Sequence, residues 1–268
     1  MATVFGSGEG SVRRVRADHQ FFFVSAIVMA GIVVAGFGSA WLLGRSSFAH
    51  SPAILHVHAL TFMAWTFYYV LQTGLAANGS VALHKRLGWF GTGLAALMLP
   101  LGTFMTVAMV RRGATPFFFE PAYFLVMNPL TLFTFGGLVA AAIVNRRRTA
   151  WHRRLMFCAQ AFVIGPAFGR LLPLPLFAPY AGWAVFIAVM LLPLAGVVAD
   201  YRRAGRVHPA WMWGIAAMTT AWVSVTLIAY SPVGHAIYDS AMAGSPGAAI
   251  DPYGFPAAPT GVPPSLFR

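Results

Sequence analysis

The chain has 268 residues, 59% of them hydrophobic and only 9% charged, with a formal net charge of +12. A soluble globule usually carries about 25% charged residues, so this composition excludes an ordinary water-covered surface and points to lipid as the solvent. The basic residues stand in short clusters between apolar runs rather than in one stripe, which argues against a nucleic-acid-binding face. The single cysteine, Cys158, excludes an intramolecular disulfide.

Residues 1–19 are a polar segment holding Arg13, Arg14 and Arg16, and the apolar run that follows is too long for a signal-peptide core. A helix needs roughly 20 apolar residues to cross the ~30 Å hydrocarbon core of a bilayer. Seven stretches come close to or exceed that length: 20–44, 54–77, 89–110, 123–144, 155–172, 181–199 and 211–230. The alternation of a barrel strand is missing, so the expected fold is all-α, an integral membrane bundle of about seven transmembrane helices over residues 20–232.

Cytoplasmic loops retain positive charge. With the N-terminus inside and the C-terminus outside, thirteen of the eighteen Lys and Arg residues fall on the cytoplasmic side, among them Lys85, Arg86, Arg146, Arg147, Arg148, Arg153, Arg154, Arg202, Arg203 and Arg206. Trp89, Trp151, Tyr201 and Trp211 then form an inner aromatic belt, and Tyr123, Tyr180, Trp183 and Tyr230 an outer one. The expected location is a bacterial inner membrane. Residues 233–268 are rich in Pro, Gly and Ala, and their composition predicts a disordered external tail.

Leu83-His84-Lys85-Arg86-Leu87 and Trp151-His152-Arg153-Arg154-Leu155 repeat one pattern 68 residues apart, as in related hairpins. The eight histidines fall into two layers. His50, His56, His58 and His235 lie toward the outside, and His19, His84, His152 and His208 near the cytoplasmic interface. Ionisable groups near membrane depth are costly and mark candidate sites. On the second span His58, Trp65 and Gln72 recur every seven residues and share a face. That face either binds a cofactor or substrate, or is a polar stripe bonding neighbouring helices. His84, His152 and His208 with Asp200 and several arginines either ligate haem iron or a metal, bind an anion, or anchor helix ends against lipid phosphates. An outer haem on His56 or His58 needs a partner from His50, His235 or Met127. Gln160 and Arg170 on the fifth span could reach a quinone at the outer leaflet, unless Arg170 snorkels to headgroups.

The only lysine, Lys85, sits in a loop, which excludes a retinal Schiff base, and no HExxH or GxSxG motif occurs. Glu120, Asp200 and the tail acids all flank spans, which disfavours a pump built on intramembrane carboxylates.

The motifs H-x6-W-x6-Q with LHKRLGW (58–89), WHRRLM…GR (151–170) and DYRRAGRVHPAWMWG (200–214) together resemble a group of uncharacterised bacterial multi-pass membrane proteins. The resemblance covers spans two to seven and implies a similar bundle without an assigned activity. More loosely, the chain is similar to b-type cytochromes with four histidines on a four-helix core. That likeness maps His58, His84 and His152 but finds no histidine in span four. The resulting expectation is a haem- or quinone-linked redox protein with haem b on His84 and His152, His58 as an outer ligand, and Trp65, Gln72, Gln160 and Arg170 near the substrate. Its expected partners are the lipid bilayer and a quinone or another membrane protein. The alternative is a non-enzymatic lipid- or solute-binding, transport or membrane-assembly subunit.

Overall fold

The computed structural model describes residues 6–44 and 53–257, with side chains from residue 18 onward. Among the described residues there are nine α-helices and no strands. Six are long and apolar enough to cross a bilayer: α1 (Gly6–Leu42, apolar from Asp18), α2 (Ala53–Ala77), α3 (Val81–Arg111), α4 (Pro121–Val144), α7 (Ala181–Ala204) and α8 (Pro209–Ala229). Large apolar side chains such as Val28, Leu60, Phe104, Ile187 and Leu227 stay exposed along them. So extensive an apolar exterior suits contact with lipid.

The expected fifth span, 155–172, is not one helix. It forms as α5 (Thr149–Val163) and α6 (Gly165–Leu171), broken at Ile164. Pro166 directly after Gly165 lacks an N–H to carry the ladder through, and it starts the second piece at its first turn. Residues 157–164 are all buried, so the broken segment is the most enclosed in the bundle. α4 packs on α3, α5 and α8, and α2 packs on α1 and α3. On the other side α1 packs on α6, and α7 on α5, α6 and α8. Gly36 of α1 faces the backbone of Ala167 in α6, where an added Cβ would stand 2.5 Å from the carbonyl oxygen. Small residues let membrane helices approach this closely.

The segment after 232 corrects the disordered-tail expectation as far as residue 257. Ser231 caps α9 (Pro232–Met242), accepting from Gly234 N with its side chain, and Pro232 occupies the first turn. A 3-10 turn follows at Pro246–Ala249. Tyr238 Oη donates to Gly247 O at 3.0 Å, and Ala122 N donates to Pro252 O at 2.9 Å, tying the segment to the start of α4. Residues 258–268 lie outside the described residues, as does His50.

Candidate functional site

The helix ends that carry Lys85, Arg86, Arg146, Arg153, Arg154 and Arg203 form the basic end of the bundle. Two separate polar assemblies occupy it. The sequence groups His84, His152 and His208 with Asp200; the structure divides them.

The first assembly is a histidine pair. His84, in the first turn of α3, has Nδ1 3.2 Å from Gln72 O of α2. His152 of α5 has Nδ1 2.9 Å from Ala142 O near the end of α4. A carbonyl oxygen only accepts, so both Nδ1 atoms carry the proton and Nε2 holds the lone pair in each neutral ring. The rings stand 6.2 Å apart, centroid to centroid, with planes at 83°. Each is therefore fixed by a backbone carbonyl, the kind of outer partner that orients a ligating imidazole.

The second assembly is ionic. Arg154 of α5 donates from Nε and a terminal nitrogen to the two oxygens of Asp200 on α7, at 2.8 and 2.7 Å. Trp211 Nε1 of α8 adds a bond to Asp200 at 2.9 Å, and His208 N approaches it at 3.3 Å. Arg154 and Asp200 are both buried. Arg153, one residue earlier and so on another face, pairs with Asp18 of α1 and lies over Phe22. Arg203 joins the two acids, 3.3 Å from Asp18 and 3.4 Å from Asp200. This network locks α1, α5, α7 and α8 together.

His208 belongs to the second assembly. Its Nδ1 accepts from Ala210 N at 3.1 Å, capping α8, and its ring meets Trp151 edge-on. That Nδ1 is consequently unprotonated, the opposite of His84 and His152. Burial, with the nearby Arg154 charge, pushes the His208 pKa below its ordinary value, and Asp200 opposes this in part.

Deeper in the bundle Trp65 Nε1 donates to Gln160 Oε1 at 2.8 Å, joining α2 to α5, and Trp65 stands edge-on to Phe135 of α4. Gln160 is fully enclosed and its Nε2 has no hydrogen-bond partner. Gln72 donates to Tyr68 Oη at 2.7 Å, and Tyr68 in turn donates to Leu87 O, while Gln72 Oε1 is left without a partner. Trp65 and Gln72 thus share the inward face, as their spacing predicts.

His58 and His235 stand toward the opposite end of the bundle. His58 packs its ring 4.2 Å from Phe62, with Nδ1 buried and without a hydrogen-bond partner. Arg170 lies close enough for its charge to act on His58, stacks over Phe37 at 4.0 Å and donates to Pro166 O. His235 is engaged by Asp239 and stacks on Tyr253.

Sequence reasoning missed the Arg154–Asp200–Trp211 network and the role of Asp18. The doublet Arg153-Arg154 offers a signal, since adjacent helical residues face different neighbours. Among the described residues no group of three or more His, Cys, Asp or Glu converges to hold a metal ion. No family model, curated protein or solved structure matches the chain.

Proposed function

We propose that the protein is a haem-binding redox protein of a bacterial cytoplasmic membrane, in which His84 and His152 would together hold one haem b. The observation that carries this reading is the pair itself: two rings 6.2 Å apart on α3 and α5, each held at Nδ1 by a carbonyl. That separation would suit two imidazoles sharing one metal ion at metal–nitrogen distances of about 2.0 Å. A bare metal site usually takes at least three protein ligands, whereas a haem would need no more than the two histidines this site offers. Facing helices of a bundle are where such cofactors are held. Bound there, haem b supplies one-electron transfer.

A quinone is the electron partner we propose, received near Trp65 and Gln160. The unpartnered Gln160 Nε2 is a buried donor suited to a quinone carbonyl. Its level lies about 10 Å from the Gln72 carbonyl that anchors His84, seven residues along the helix. In this reading α5 and α6 together make the seventh crossing. The basic end faces the cytoplasm, in keeping with the thirteen of eighteen basic residues that belong to it by sequence.

One observation favours a second reading, a non-enzymatic bundle serving lipid or solute binding, transport or assembly. Ala142 lies in the last turn of α4, where carbonyls lack helical partners, and His19 likewise places Nδ1 3.1 Å from Ala76 O at the end of α2. Histidines at this end thus cap helices with or without a ligand. The two readings part on the spectrum of the purified protein: a Soret band lost in His84→Ala and in His152→Ala supports haem, and a colourless protein from haem-replete cells supports the second.

A further inference from the structure

We infer that Tyr68 is the positioning residue of the histidine pair: from α2 it pins the first turns of α3 and so holds the His84 imidazole in one tautomer and one orientation against Gln72. The inference rests on the reading of His84 and His152 as a ligand pair and adds what fixes one member of it. Tyr68 and Gln72 lie one turn apart on α2, and His84 and Leu87 lie three residues apart on α3, so each pair shares a helix face. Three bonds join the four residues. Gln72 Nε2 donates to Tyr68 Oη at 2.7 Å, Tyr68 Oη donates to Leu87 O, and His84 Nδ1 stands 3.2 Å from Gln72 O. The phenol is the point where the two helix faces are tied, one turn along α3 from the histidine it serves.

The surface of α3 is shaped to admit this ring. At Gly91 an added Cβ would stand 2.4 Å from Tyr68 Cε1, and Phe90 meets the phenol edge-on at 5.6 Å. Leu87 O has two lone pairs, so it can accept the phenol beside its helical N–H. His152 is held by other means. Its Nδ1 bonds Ala142 O of α4, and the turn behind it closes through Arg148 N to Asn145 O at 2.8 Å and His152 N to Arg148 O at 3.1 Å. Neither α2 nor Tyr68 takes part in that hold, so Tyr68 acts on one imidazole of the two. The outer partner of a ligating imidazole sets its tautomer and ring orientation, and losing such a partner typically costs about 10- to 100-fold in metal affinity.

The test reads the whole chain twice, haem-free by imidazole nitrogen NMR with isotope-labelled histidine, and then by titration with haem b. At about pH 8.5 the rings are neutral and their nitrogen shifts report the tautomer, with His84→Asn assigning the His84 signals. Wild type should show His84 protonated at Nδ1 alone. Tyr68→Phe keeps the ring and removes the hydroxyl; it should turn His84 into a mixture of tautomers, leave His152 unchanged and weaken haem binding about tenfold or more. Gly91→Ala displaces the ring with its hydroxyl intact and should act in the same direction. Gly36→Leu loosens the bundle at α1 and α6 and should leave the His84 signals as in wild type. His84 signals unchanged in both Tyr68→Phe and Gly91→Ala, or changed as much in Gly36→Leu, would overturn the inference, as would a haem affinity untouched by Tyr68→Phe. A wild-type protein that takes up no haem, while its His84 answers to Tyr68 as described, leaves the positioning of His84 standing and defeats the haem reading alone.

Discussion

Replacing Asp200 with alanine removes the acceptor of two Arg154 bonds and of the Trp211 indole N–H at once. Both charged groups are buried, with Arg154 only 5% and Asp200 3% exposed. Removing one member of such a pair leaves an uncompensated charge and costs about 3–5 kcal/mol. The stranded indole N–H on its own would cost roughly 1–3 kcal/mol, in part the same loss. The double variant Arg154→Met/Asp200→Leu exchanges the charges for apolar packing, which is often neutral or stabilising by about 1–4 kcal/mol. With Trp211 still lacking its acceptor, the double variant should fall within about 2 kcal/mol of wild type. Unfolding free energies from SDS titration of micelle-solubilised protein, followed by far-UV circular dichroism, compare all three. A loss below about 1 kcal/mol for Asp200→Ala, or a double variant as unstable as the single one, would refute the buried-pair argument.

Stability should fall as pH drops below the ordinary histidine range. His208 has a lowered pKa in the fold and must be neutral to accept from Ala210, so the unfolded chain binds the proton first and acid draws the protein toward it. His208→Asn keeps a capping side chain and should remove this component of a melting-temperature profile across pH 5–8, roughly. Gly36→Leu drives a side chain into the Ala167 backbone and should lose about 1–3 kcal/mol in the same SDS titration. Gln160→Leu takes the acceptor from the buried Trp65 indole and should cost about 1–3 kcal/mol, with a shift in tryptophan fluorescence.

Much of the architecture was legible because bilayer thickness dictates length, and six of the seven apolar runs correspond to long helices. The fifth differed because hydropathy registers lipid compatibility and is blind to a missing N–H; the break follows from Gly165-Pro166, visible in the sequence but not decisive there. Composition misled at the C-terminal segment. Ser231-Pro232 is a helix start, and Val233, Ile237 and Ala241 recur at four-residue spacing, a local signal that Pro and Gly counts average away. The inward face of Trp65 and Gln72 could be read from a seven-residue period, and the two histidine motifs do meet at one end. His208 shows what proximity in sequence cannot settle: its place before Pro209 makes it a helix cap, and only the fold separates it from the pair. Asp200 was visible as a flanking acid, but its partner lies 46 residues away in the chain, and pairing at that range requires the packed bundle.

The central claim rests on His84 and His152, and the most direct measurement is the absorption spectrum of the detergent-purified protein, oxidised and then dithionite-reduced, with haem quantified on the same sample. The account predicts a Soret band that shifts on reduction, about one haem per chain, loss of the band in His84→Ala and His152→Ala, and its survival in His58→Ala. A protein that is colourless when purified from haem-replete cells, and stays so when haem is added, would contradict it.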